Sequence, residues 1–73
     1  MRSADKLAMM ANQIARNLAV QGDEAAVAGT ADHIRRFWDP RMRAGIVAYL
    51  AGGGQLSPLA EAAVRRLGGP EAP

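Results

Sequence analysis

Large apolar residues recur at helical spacing in four stretches of the chain, and nowhere do they show the strict alternation of a half-buried strand. In "SADKLAMMANQIARNLAVQG", Leu7, Met10, Ile14 and Leu18 fall three or four positions apart, predicting one helix with Ser3 as its cap. Gly22 closes that helix, and Asp23 with Glu24 supplies a cap and an acidic first turn for the next. The second stripe runs through Val27, Thr30 or Ala31, Ile34, and Phe37 with Trp38. Gly29 lies inside it at a cost of about 1 kcal/mol relative to Ala, which predicts close helix contact or local softness there.

"WDP" then ends one helix and starts another. Asp39 is a capping residue, and Pro40 suits the first helical position because its missing N–H had no intrahelical partner to lose. Met42, Ile46, Tyr49 and Leu50 form the third stripe, and the glycines at 52–54 stop it. "SPLAEAAVRRL" repeats the device, with Ser57 as cap, Pro58 in the first turn, and Leu59, Ala63, Val64 and Leu67 on one side. The pattern predicts an all-α fold of four short helices, a single domain over residues 1–69, and a flexible tail at 70–73.

Length and composition make this a thin domain. Of the hydrophobic residues, which are 49% of the 73, sixteen are Ala, so few side chains are large enough to fill a core. A chain this small usually gains stability from disulfides, a structural metal or association. It has no Cys, and its single histidine, His33, has only Asp32 beside it, on a different helical face. Association with a larger partner is therefore expected. The N-terminal stretch carries Asp5, Asn12 and Gln13 where a secretory signal needs a continuous apolar run, and no run is long enough to span a membrane. A cytoplasmic location is expected.

Catalytic chemistry finds no foothold. Ser3 and Ser57 read as helix caps, the acids Asp5, Asp23, Glu24 and Asp39 fall near helix starts where negative charge is favoured, and "GGGQ" follows a helix rather than a strand. No catalytic, cofactor-binding or metal-binding residue is assigned.

One stretch stands apart. "HIRRFWDPRMR", residues 33–43, gathers four arginines, the only histidine, the only Phe and the only Trp into eleven positions. Three readings fit it. Phe37 and Trp38 fill the core while the arginines are solvated; or an arginine-rimmed aromatic corner docks on a protein, since Trp, Phe and Arg are favoured at interface hot spots; or arginines and rings hold nucleic acid. A net charge of only +2 and the lack of a second basic helix face weigh against the last. The docking reading assigns His33, Arg35, Arg36, Phe37, Trp38, Pro40, Arg41 and Arg43 to partner binding, with Asp39 and Pro40 fixing the turn and Arg41 and Arg43 meeting acidic groups or carbonyls of the partner.

"KLAMMANQIA" at 6–15, "HIRRFWDPRMR" at 33–43 and "GGGQLSPLAEAAV" at 52–64 together resemble the small delta subunit of the NAD-dependent, molybdenum-containing formate dehydrogenases. Order and spacing agree over roughly residues 5–67, and the central motif is the specific part; residues 17–31 depart from the family pattern, which often places aromatic residues at the end of the first helix. The resemblance implies a non-catalytic subunit of a cytoplasmic complex that oxidises formate to carbon dioxide and reduces NAD. It implies a large alpha subunit carrying bis-molybdopterin guanine dinucleotide and iron–sulfur clusters, and beta and gamma subunits with FMN and further clusters. The delta chain would then stabilise the alpha subunit or assist its assembly and cofactor maturation, binding neither nucleic acid nor membrane.

Overall fold

The computed structural model describes residues 3–67, so the tail expected at 70–73 lies outside the described residues. Four α-helices follow one another: α1 (Ser3–Leu18), α2 (Asp23–Phe37), α3 (Pro40–Ala51) and α4 (Pro58–Leu67), with a 3-10 turn at Ala19–Gln21 between the first two. No strand occurs among the described residues. α1 and α4 pack on each other and on both remaining helices, and α2 and α3 flank that pair.

The helix boundaries have local causes. Ser3 is the first residue of α1, and the capping expected of its side chain lies outside what is described. Gly22, at φ 103 and ψ 154, sits where side chains other than hydrogen are strained, and it links the 3-10 turn to α2. Its N–H donates to the carbonyl of Ala19 at 3.0 Å and its own carbonyl accepts from Ala26 at 2.9 Å. Gly22, not Asp23, is thus the N-cap; Asp23 and Glu24 occupy the first turn, where their charge still opposes the helix dipole. At α3 the expectation holds: Asp39 Oδ1 accepts the Met42 amide at 2.8 Å, with Pro40 directly after it. α3 ends in a Schellman motif, in which Gly53, at φ 96, donates to Leu50 and Gly54 donates to Tyr49. Ser57 Oγ accepts the Ala60 amide at 3.3 Å and starts α4.

The buried face of α1 is rotated from the stripe of large residues. Leu7, Ala8, Ala11 and Ala15 are buried, whereas Met10 and Ile14 pack from its margin and Leu18 is half-buried. The cause is size: alanines on the facing line let α1 lie close against its neighbours, so the longer side chains wrap around the contact instead of separating it. Ile34, Trp38, Ile46, Ala60 and Val64 complete this core, and Val27, Ala31 and Ala63 form a smaller cluster between α2 and α4. Gly29 is a place of close approach, as a Cβ there would lie 2.9 Å from Leu18 Cδ1; Gly45 receives Leu7 in the same way. Thr30 is fully buried, and its hydroxyl has no hydrogen-bond partner among the described residues.

Candidate partner-binding site

The stretch 33–43 forms the corner where α2 turns into α3, and the backbone divides its side chains between two roles. α2 ends at Phe37, and Trp38 leaves the helix with an extended backbone, φ -89 and ψ 138, while its N–H still reaches the carbonyl of Ile34 at 3.0 Å. Phe37 and Trp38, consecutive at the helix end, fall on opposite sides of the boundary between core and surface. Trp38 is 4% exposed and part of the core, whereas Phe37 is 70% exposed. Of the face expected to hold Ile34, Phe37 and Trp38, the domain's own core takes Ile34 and Trp38 and leaves Phe37, in the last turn of α2, exposed.

Phe37 has company on the surface. Its ring lies 4.7 Å, centroid to centroid, from that of His33 one turn back, at an interplanar angle of 41°. Arg36, on the same part of the helix, pairs with Asp32 through Nε at 3.2 Å; both side chains are well exposed, so the pair adds little to stability. Arg41 is exposed and makes no hydrogen bond or ion pair among the described residues.

Arg43 is different. Its Nη1 donates to the carbonyls of Trp38 at 3.0 Å and Arg35 at 3.2 Å. These are carbonyls at the end of α2, where the last turn lacks intrahelical donors and the helix dipole leaves partial negative charge. Arg43 thus ties the start of α3 to the end of α2 and supports the corner itself, a role that sequence reading had given to Asp39 and Pro40 alone. Arg35 reaches across to the Arg66 carbonyl near the end of α4 at 3.5 Å, the outer limit of a hydrogen bond. Pro40 is exposed at the head of α3.

Behind these arginines an open groove of about 580 Å³ runs between the end of α2, the start of α3 and the end of α4. Arg35, Pro40, Arg43, Ala44, Val47 and Leu67 line it. Ala44 and Val47 carry no signal in the sequence and Leu67 reads there only as part of the α4 stripe; the fold brings all three to the motif. Among the described residues no group of three or more His, Asp or Glu side chains is placed to hold a metal ion. No helix among them is long and apolar enough to cross a membrane.

The family assignment rests on a match that includes this whole corner. The family model described as the NADH-dependent formate dehydrogenase delta subunit FdsD matches residues 6–64. The chain belongs to that family. It is accordingly a non-catalytic accessory subunit of an NAD-dependent formate dehydrogenase. The match covers most of α1, all of α2 and α3 and most of α4, and so takes in the stretches at 6–15, 33–43 and 52–64. Neither the curated proteins nor the solved structures yield a match to the chain. For a delta subunit of this kind the corner divides cleanly: Trp38, Asp39 and Arg43 build it, and His33, Arg36, Phe37 and Arg41 present it.

Proposed function

We propose that this delta subunit binds the catalytic alpha subunit of its formate dehydrogenase through the α2–α3 corner and stabilises it, in a cytoplasmic complex with beta and gamma subunits. The observation that carries the reading is Phe37, a large ring left 70% exposed at the end of a helix, set at a tilt against the ring of His33, with the exposed Arg36 and Arg41 near it in sequence. An exposed aromatic in a stretch rich in exposed arginines has the composition of an interface hot spot. The thin core supports the same conclusion, because a domain held by alanines gains from covering a surface. In this reading the domain over 1–69 acts as one docking unit, and His33, Arg35, Arg36, Phe37, Trp38, Pro40, Arg41 and Arg43 make or support the contact.

The chain binds no cofactor in this proposal. Bis-molybdopterin guanine dinucleotide, iron–sulfur clusters, FMN and NAD belong to the other subunits, and the delta subunit acts on them only by holding or assembling the alpha subunit. The test is affinity capture of the tagged chain from its native cells, with formate-dependent NAD reduction measured on the eluate. Recovery of the alpha subunit in near-equal amount, reduced by Phe37→Ala, is the expected result; recovery of the chain alone, or with nucleic acid, would overturn the proposal. Comparing the molybdenum content of alpha subunit made with and without the chain separates a role in cofactor maturation from one confined to the finished complex.

A further inference from the structure

We propose that the groove beneath the corner receives a carboxylate-bearing, otherwise apolar segment of the catalytic subunit, with Arg35 and Arg43 holding the carboxylate. This inference rests on the docking reading above and adds the chemistry of the contact.

Three observations carry it. First, both arginines in the groove retain donors. Among the described residues Arg43 uses only Nη1 on its two backbone carbonyls, which leaves Nε and Nη2, and Arg35 uses only Nη2, which leaves Nε and Nη1. A guanidinium presents five N–H groups in a rigid fork suited to a carboxylate, and the carbonyls already engaged hold Arg43 in place. Second, no acid lines the groove among the described residues, and the rest of the wall is Pro40, Ala44, Val47 and Leu67. A fully solvated inorganic anion would gain nothing from that wall, whereas an Asp or Glu flanked by apolar side chains fits both parts. Third, another groove, of about 500 Å³, is balanced in charge, with Arg16 and Asp23 both in its lining. The positive groove lies at the α2–α3 corner, within the stretch 33–43 and its continuation into α3.

Ala44 gives the test, because it lines the groove, is exposed and lies inside α3, where Glu, Gln and Lys are all good helix formers. Full-length chain carrying Ala44→Glu, Ala44→Gln or Ala44→Lys is titrated against the purified formate dehydrogenase complex prepared without this subunit, and helicity is checked by circular dichroism. Ala44→Glu is expected to weaken binding at least about tenfold at low salt, by placing a competing carboxylate beside the arginines and repelling that of the partner. Ala44→Lys is expected to bind within about twofold of the native chain, with Ala44→Gln between them. Equal binding by Ala44→Glu and the native chain overturns the groove while leaving the docking proposal standing. Equal weakening by all three substitutions overturns the carboxylate, since bulk alone would then explain the loss. If the native chain itself does not bind, the docking proposal fails and the groove assignment fails with it.

Discussion

The side-chain oxygen of Asn12 accepts the backbone N–H of Ser57 at 2.9 Å, joining the middle of α1 to the cap of α4 across 45 positions. In a capping box the residue three positions into the helix returns a bond to the cap's own N–H. Here that residue is Ala60, which cannot, and Asn12 supplies the acceptor from another helix. The arrangement also links two of the three stretches that carry the family resemblance.

Asn12→Ala is expected to cost about 1–3 kcal/mol, because it leaves a partly buried amide without a partner. Asn12→Asp, which keeps an acceptor in place, is expected to cost less. Urea unfolding of the isolated chain measures both, and unchanged midpoints would mean that water takes over the Ser57 amide at no cost.

Arg41→Ala and Arg43→Ala are expected to differ, although the two lie within one helical turn. Arg43→Ala removes charge-assisted bonds to two carbonyls and is expected to destabilise the isolated chain by about 1–3 kcal/mol. Arg41→Ala removes no bond among the described residues and should stay within about 0.5 kcal/mol. Thermal unfolding followed by circular dichroism distinguishes them. Equal losses would show that Arg41 also supports the corner.

Phe37→Ala and Trp38→Ala form a second contrasting pair. With Phe37 exposed and Trp38 in the core, Trp38→Ala is expected to cost about 3–5 kcal/mol and bring the domain close to unfolding. Phe37→Ala is expected to leave the unfolding midpoint nearly unchanged and to weaken attachment to the catalytic subunit by at least about tenfold, the scale of a hot spot. Stability and binding must both be measured, because the prediction lies in their separation.

Thr30→Val is expected to stabilise the chain by about 1 kcal/mol, since it replaces a fully buried hydroxyl that has no partner among the described residues with a methyl of similar size. The midpoint of chemical denaturation reads the change. A loss of similar size would show that the hydroxyl is satisfied in solution.

Legibility of the sequence tracked the distance over which each interaction acts. Asp39-Pro40 and Ser57-Pro58 were readable as helix starts because a cap and its amide lie within one turn, and the four helices followed from those signals and the apolar spacing. The buried line of α1 was less readable, because periodicity weights large side chains while the closest packing is made by Ala8, Ala11 and Ala15. The split between Phe37 and Trp38 falls at the end of α2, where apolar spacing does not tell which of two consecutive rings the core takes. Asn12 with Ser57, Arg35 with Arg66, and the groove wall at Leu67 join residues far apart in sequence, and nothing local announces them. The dense stretch 33–43 was visible from composition alone; its division into builders and presenters was not.

A core made so largely of methyl groups, at Ala8, Ala11, Ala15, Ala26, Ala31, Ala60 and Ala63, buries little apolar area per residue. In a chain of this size each kcal/mol moves the melting temperature by roughly 4–8 °C. A partner present at about a hundred times its dissociation constant adds about 2.7 kcal/mol. Docking on that scale raises the midpoint by roughly 10–20 °C. The melting temperature of this subunit is therefore a thermometer for occupancy, and a melting curve alone reports how much of it is bound.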